Sequence, residues 1–310
     1  MQITILGSGG GLGIPNPFCV CRNCQAAREA GGWSLRNAPA VLINDDLLID
    51  CGSDVVNSIR QTGLSLYDLR TLIITHRHSD HLDPWFFWAR AGVDETELPL
   101  MTVYAPRDVL DYVVQFYGQV AGWDLAQLER RTQTRWCVVQ AGDFKLAGRY
   151  RLHFFPAAHG DARLREVLVA VQDVYGGYLH LYDTGPLPEE TWQALRKVQV
   201  DVAAIDATIG RQNDYENPGH MTAEQTVEAT RRLRELGILK PDGVALATHF
   251  VHQATGLHEQ EVAYYEPRGL RVAYDGMRLQ AGAVPEPLLS AEVPDDWLQD
   301  GEATSQGADS

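Results

Sequence analysis

Thr75-His76-Arg77-His78-Ser79-Asp80-His81 places four metal-competent side chains within six residues, directly after the apolar run 71–74. The run reads as a buried strand, so these side chains emerge on a loop at its C-terminal end. Burying them unpaired would cost several kcal/mol each, which argues against a packing device. Imidazole and carboxylate together suit zinc, manganese or iron. The compact spacing lets His76 and His78 chelate one ion while Asp80 and His81 reach a second close by. The competing reading, a polar turn with incidental histidines, fits the strand-end setting poorly.

Working outward, the same setting recurs. The strand-like run 151–155 leads to His159, the run 178–182 to Asp183, and the run 244–247 to Thr248-His249. Asp50 closes the run 47–49. A lone polar residue past a strand is commonly an ordinary turn residue, but α/β sheets gather their active sites at such ends. Further strands are expected at 3–6, 40–43, 71–74, 101–104, 167–171, 202–205 and 270–273, with hairpins at 40–49 and 167–182. Helices are expected at 108–117, 188–197 and 222–236, the last opened by the capping box Thr222-Ala-Glu-Gln225. Strands alternating with helices imply α/β layering.

The order Asp50, His76-x-His78-x-Asp80-His81, His159, Asp183, His249 resembles the five motifs of the metallo-β-lactamase superfamily. The resemblance implies a four-layer αβ/βα sandwich with two divalent metal ions (manganese, zinc or iron) at one edge of its sheets. It assigns His76, His78 and His159 to the first ion, Asp80, His81 and His249 to the second, and Asp183 to both. Asp50 would orient a ligand by hydrogen bonding. A water between the ions, acidified by them, would be the nucleophile of a hydrolase. All seven ligand positions are intact, which speaks against a decayed, non-catalytic copy.

A second constellation narrows the resemblance. Cys19-Val-Cys21-Arg-Asn-Cys24 offers three soft ligands, one short of a closed zinc site, and His252 stands three residues after His249. This is similar to the phosphoribosyl cyclic phosphate phosphodiesterases of the carbon–phosphorus lyase pathway, where such a set holds a structural zinc. The pyrroloquinoline quinone biosynthesis B proteins share the cysteines but have a degraded histidine motif. The cysteines could otherwise be a redox pair or buried small residues. Asn217-Pro-Gly-His220-Met-Thr222 resembles the segment in which this subfamily and ribonuclease Z place a histidine facing the leaving group. There His220 would be a general acid or an oxyanion donor, unless it is an ordinary residue in water before a helix. Its pKa would be pulled down by the helix dipole and up by a bound phosphate. The expected catalytic side chains are therefore His220, Asp80 and Asp50.

Other features take bland readings. Gly7-Ser-Gly-Gly-Gly-Leu-Gly13 looks like a dinucleotide loop, but Pro15 and Pro17 deny it the following helix, so it reads as a turn bringing backbone close to the metals. His153, His180 and His258 read as structural, and Cys51 and Cys137 as core. The aromatic run 84–88 could wall a pocket or pack beneath the motif. Arg22, Arg77, Arg163 and Arg211 are all possible phosphate clamps. The run 272–277 looks like a closing strand.

Bulk properties bound the function. The 310 residues, 45% hydrophobic and 22% charged, can bury a large core, and no apolar run is long enough to span a bilayer. One domain over 1–282 and an acidic, disordered tail over 283–310 are expected. Five cysteines and no leader-like start suggest the reducing cytoplasm. A net charge of −15 disfavours extended nucleic acid, whose binding rests on neutralising many phosphates. The expected partner is a small phosphodiester substrate, with no membrane; a homodimer is left open. The reaction expected is hydrolysis of a compact diester such as phosphoribosyl 1,2-cyclic phosphate. The alternatives are ribonuclease Z-like RNA cleavage, ester, thioester or lactone hydrolysis, and a quinone-biosynthesis-type binding protein.

Overall fold

The computed structural model describes residues 1–93, 98–160, 165–211 and 218–282. Arg163, Asn217 and the expected tail lie outside them.

Two seven-stranded sheets make up the centre. The first holds β1 (Gln2–Gly7), β2 (Ala40–Ile43), β3 (Leu47–Ile49), β4 (Thr71–Ile73), β5 (Met101–Ala105) and β6 (Thr134–Val138). The second holds β7 (Phe144–Ala147), β8 (Tyr150–Pro156), β9 (Val167–Gln172), β10 (Gly177–Leu181), β11 (Val200–Asp206), β12 (Leu239–Thr248) and β13 (Arg271–Val272). The chain then returns to the first sheet as β14 (Arg278–Gln280), beside β1. The helices are α1 (Arg22–Ala30), α2 (Val55–Thr62), α3 (Trp85–Ala91), α4 (Arg107–Ala121), α5 (Leu125–Thr132), α6 (Glu189–Leu195), α7 (Ala223–Glu235) and α8 (His258–Tyr265).

Alternation along the strands builds the layers. Ile3, Ile5, Val41 and Ile43 meet Leu152, Phe154, Val169 and Val171 in the core between the sheets. Their neighbours point outward: Leu42, Leu48, Leu72 and Val103 pack under Val55, Phe87, Val109 and Val113 of the helices on that side. On the other side Leu168, Ala170, Leu179 and Ile205 pack with Trp192, Leu195 and Leu233. Strands buried on both faces must be apolar at nearly every position, which is why these runs were continuous in sequence. The result is the expected four-layer α/β sandwich.

Register then sets the site. β3, β4, β5 and β6 run parallel, as do β10, β11, β12 and β13, so their C-terminal ends lie together at one edge of each sheet. A bridge between Gly9 and Phe250 and a Phe250 N–H bond to the Ser8 carbonyl (3.1 Å) tie these edges across the sandwich. The run 272–277 departs from expectation. Only Arg271–Val272 pairs as a strand, and the rest turns the chain back toward the first sheet. There Asp275 accepts backbone N–H bonds from Ser8 (2.8 Å) and Asn37 (2.6 Å), chemistry that a strand would not supply.

Candidate metal centre

Asp50, Asp183 and His249 each sit just past a strand, and each has a left-handed backbone, with φ of 62°, 50° and 63°. Asn44 and Gln133 are the other two such non-glycine residues described. That conformation costs L-residues roughly 1–2 kcal/mol. Its concentration here means the surrounding sheet ends hold these side chains in place against local preference.

Two groups of ligand-type atoms gather the expected residues: His76, His78 and His159 in one, and Asp80, His81, Asp183 and His249 in the other, the atoms of each lying within 4.8 Å of one another; a third set meeting the same limit, Asp183, Asp206, His220 and His249, overlaps the second. In the first, His78 Nδ1 is 3.0 Å from His76 Nε2 and 3.3 Å from His159 Nε2. In the second, Asp183 Oδ2 touches His81 Nε2 and lies 3.2 Å from His249 Nε2, while Asp80 Oδ2 is 3.4 Å from His81 Nε2 and 3.6 Å from His249 Nε2. Asp183 also reaches the first group, at 4.0 Å from His76 Nε2 and 3.9 Å from His159 Nδ1.

The far ring nitrogens show how well this set fits metal. His81 Nδ1 contacts Asp50 Oδ2 at 2.7 Å, His159 Nδ1 contacts the Gly219 carbonyl at 3.1 Å, and His249 Nδ1 contacts Thr208 Oγ1 at 2.8 Å. His76 Nδ1 lies 3.1 Å from Thr75 Oγ1. Tying down one nitrogen fixes the ring and leaves the other for a metal, the usual outer support of ligating histidines. His81 Nε2, His249 Nε2 and Asp183 Oδ2 are buried and converge without hydrogen-bond geometry. Orphaned polar atoms of this kind are costly, and a shared cation would satisfy all three. The donor set fits a dinuclear site.

Without metal, the buried carboxylates set the charge of the site. Burial resists ionising Asp183, but His249 and His81 outweigh it and hold the carboxyl well below its usual range. Burial also resists charging His249, yet Asp183, Asp80 and Asp206 push it up to about 10. In Asp50 burial is again overcome, by His81 and His180, and the carboxyl stays ionised. Asp50 further accepts from Thr75 N (2.8 Å) and Thr75 Oγ1 (3.0 Å), so it braces the start of the histidine loop. His180, expected to be structural, lies fully inside, stacked on Tyr182 with centroids 3.8 Å apart and Nε2 3.6 Å from Asp50.

The glycine-rich loop lies against the centre, as its reading as a turn near the metals requires. Gly11 N donates to Asp80 Oδ2 at 2.8 Å. A Cβ on Gly10 would stand 2.6 Å from His249 Cε1, so only glycine lets the backbone pass the ligand ring.

Sequence reasoning missed Asp206. It ends β11 with no exposure and accepts from His220 Nδ1 (3.0 Å), Asp183 N (3.1 Å), Thr208 N (3.0 Å) and Met221 N (3.1 Å). The signal was available, since Asp206 directly follows the apolar run 202–205, but no histidine accompanies it in sequence. His220 precedes the Thr222 cap of α7 and sits 3.6 Å from Asp183 Oδ1. Burial alone would lower its pKa; Asp206 and Asp183 reverse this and raise it. The carboxylates therefore take the upward role that the sequence reading gave to a bound phosphate.

Cys19, Cys21, Cys24 and His252 also converge, with their ligand atoms within 4.8 Å of one another. Cys21 Sγ is 3.6 Å from His252 Nδ1, and the Cys24 N–H points at Cys21 Sγ (3.4 Å). A tetrahedral zinc with ordinary Zn–S and Zn–N bonds sets sulfur and nitrogen about 3.6 Å apart, which the Cys21–His252 spacing fits. All five cysteines are free in the structure. Cys51 is buried and Cys137 half-buried, both in the cores.

A cavity of about 700 Å³ opens over the centre, lined by His78, Asp80, His159, Asp183, His220 and His249. Leu12, Asn16, His252 and Gln253 form its other wall. The aromatic run is not part of it. Phe86 and Phe87 are in the core of the outer layer, and Trp85 and Trp88 are exposed on α3. Arg77 faces Asp108 at 3.5 Å. No helix among the described residues is long and apolar enough to cross a membrane.

Comparison with known proteins agrees with this fold. In solved structures the fold is shared with a diphosphatase of the PhnP family (TM-score 0.68, 19% identity, 92% of this chain and 99% of that one). It is shared equally with zinc-bound PqqB from Methylobacterium extorquens (TM-score 0.68, 17% identity, 90% and 100%). At these identities the likeness is one of fold. In sequence the chain is 26% identical to ribonuclease Z of Bradyrhizobium diazoefficiens over 41% of this chain and 42% of that protein. A second curated relative is matched over 22% of its length, so the chain spans less than half of either. Residues 46–250, holding every residue of both groups, match the β-lactamase superfamily domain, and this chain belongs to that family.

Proposed function

We propose that this chain is a binuclear metal-dependent phosphodiesterase acting on a compact phosphate diester, such as a cyclic sugar phosphate. The observation that carries the reading is His220, fixed by the buried Asp206 beside the ligand groups and lining their cavity. An alkoxide leaves poorly without a proton, and a histidine held through Nδ1 with a raised pKa is built to donate one from its other nitrogen. The chain's side chains do the rest. Asp183 bridges both groups, Asp50 and Thr208 orient His81 and His249, and Gly11 fixes Asp80. Two divalent ions bound there would polarise the phosphoryl oxygens and acidify water.

Ribonuclease Z-like cleavage is the second reading, favoured by the sequence match. Charge weighs against it: a −15 chain repels an extended polyanion, whereas a compact diester brings its charge only to the metal focus. Purified protein is expected to cleave a cyclic ribose phosphate, a 2′,3′-cyclic nucleotide and bis(p-nitrophenyl) phosphate with manganese or zinc, and to cleave precursor tRNA poorly. Efficient tRNA cleavage with inert small diesters would transfer the reading to ribonuclease.

Cys19, Cys21, Cys24 and His252 we assign to one structural zinc. It would staple the loop before α1 to the segment just past His249. Cys21→Ser should then lower the thermal midpoint and release one zinc per chain, read by elemental analysis. An unchanged zinc content in the variant would remove the assignment.

A further inference from the structure

We propose that His252 serves both sites: Nδ1 joins the cysteine cluster, and Nε2 donates a hydrogen bond into the active cavity, to an uncharged oxygen on the non-reacting end of the substrate. The proposal rests on the zinc assignment and on the phosphodiesterase reading, and it says what the far end of that substrate offers. Among the described residues, His252 is the one member of the cysteine cluster that also lines the cavity over the metal centre.

Neighbouring structure places the ring. His252 Nδ1 is 3.6 Å from Cys21 Sγ, and the His252 carbonyl accepts from Asn23 Nδ2 at 3.0 Å, so both ring and backbone are tied to the start of α1. The two nitrogens of an imidazole face away from each other. With the Nδ1 edge turned to the sulfurs, the Nε2 edge is left for the cavity that His252 lines. Nε2 makes no hydrogen bond among the described residues. A free neutral imidazole offers one donor and one acceptor in either tautomer. Ligation through Nδ1 removes that choice: the proton stays on Nε2, and the ring is a donor only.

The rest of the wall selects the acceptor. Leu12, Asn16 and Gln253 stand on the same side of the cavity, and none of them is charged. Asn16 is fixed by the Phe18 N–H bond to its Oδ1 (3.0 Å) and by Arg28, which donates to its carbonyl at 2.8 Å. Its amide nitrogen is then a second neutral donor. The cavity, about 700 Å³, is much larger than a phosphoryl group held at the ligand groups, so this wall meets the remainder of the substrate. Neutral donors beside apolar Leu12 satisfy a hydroxyl or carbonyl oxygen of a sugar or base. A second phosphate there would meet no opposite charge among the described residues of the wall.

Two measurements on the full chain test this. Uridine, an uncharged probe with hydroxyl and carbonyl oxygens, titrated into the zinc-loaded, isotope-labelled protein should shift the His252 Nε2–H resonance. His252→Cys should keep the zinc, because four thiolates close such a site as well as three thiolates and a histidine, but it removes the donor. In the metal-loaded enzyme, kcat/KM is compared for uridine 2′,3′-cyclic phosphate and for ethylene phosphate, a cyclic diester with no far end. His252→Cys should lower the ratio of the two by about 5-fold, the scale of one lost hydrogen bond, with the change in KM and not in kcat. An unmoved resonance overturns the proposal, as does an unmoved ratio in a variant that retains its zinc. If the variant loses its zinc, the uridine titration alone decides. If wild type cleaves no diester, the phosphodiesterase reading fails, and the same titration still decides whether His252 donates into the cavity.

Discussion

Asp183→Asn is expected to reduce diester turnover by at least about 10³-fold, the loss equivalent to roughly 4 kcal/mol of charge stabilisation. Among the described residues, Asp183 is the one carboxylate within 4.0 Å of histidines in both ligand groups. It contacts His81, lies 3.2 Å from His249 Nε2, and comes within 4.0 Å of His76 and 3.9 Å of His159. Asparagine keeps its shape and, like aspartate, tolerates the left-handed backbone at φ 50°, so the variant removes charge with little added strain. The fold should survive. The anchoring bond is made by the Asp183 backbone N–H to Asp206, and Oδ2 has no hydrogen-bond partner to lose. Circular dichroism should match wild type, while elemental analysis shows depleted divalent metal beyond the zinc proposed at the cysteines. Wild-type turnover with undiminished metal would exclude Asp183 as the shared ligand.

How much of this was legible in sequence follows from where each residue lies. The central strands were legible because both of their faces are buried: Ala40–Ile43, Leu47–Ile49 and Thr71–Ile73 are inside at every position. The strands not anticipated, Thr134–Val138, Phe144–Ala147 and Arg278–Gln280, are sheet edges with exposed or half-exposed positions, so their apolar pattern is broken. α1 was hidden for a related reason, since only Cys24 and Ala27 of its nine residues are buried and no apolar stripe marks it. Ligand-type residues at strand ends could be named in advance because their chemistry is conspicuous. Their backbone strain could not, because φ at Asp50, Asp183 and His249 is imposed by the assembled sheets. Asp206 escaped notice because an aspartate ending a strand is ordinary until His220 folds against it. Trp85 and Trp88 show the reverse error of attention, since adjacency to the histidine motif in sequence did not bring them to its cavity.

His220→Ala should cost about 10²–10⁴-fold in turnover on diesters with alkyl or sugar leaving groups, the range typical of a lost general acid. On aryl diesters, whose phenolate departs without a proton, the loss should be far smaller. The asymmetry follows from the site. His220 is buried, bonded through Nδ1 to Asp206 at 3.0 Å, and lines the cavity above the ligand groups. Asp206 is in turn fixed by four donors besides His220: Thr208 N and Oγ1, Met221 N and Asp183 N. A carboxylate held that firmly cannot follow the ring, so it fixes both the tautomer and the direction of the remaining nitrogen. The proton would pass from that nitrogen to the departing oxygen as the phosphorus–oxygen bond breaks. Because His220 Nδ1 is also 3.6 Å from Asp183 Oδ1, and His220 forms a ligand-type set with Asp183, Asp206 and His249, the competing role is one in which the ring holds a metal or the bound phosphate and donates no proton. The two roles separate in the assay. Loss of that support would slow aryl and alkyl substrates alike and deplete metal. Loss of a proton donor would spare the aryl substrate, leave the metal content unchanged and steepen the dependence of rate on leaving-group pKa. Equal losses on both substrates would therefore withdraw the general-acid assignment.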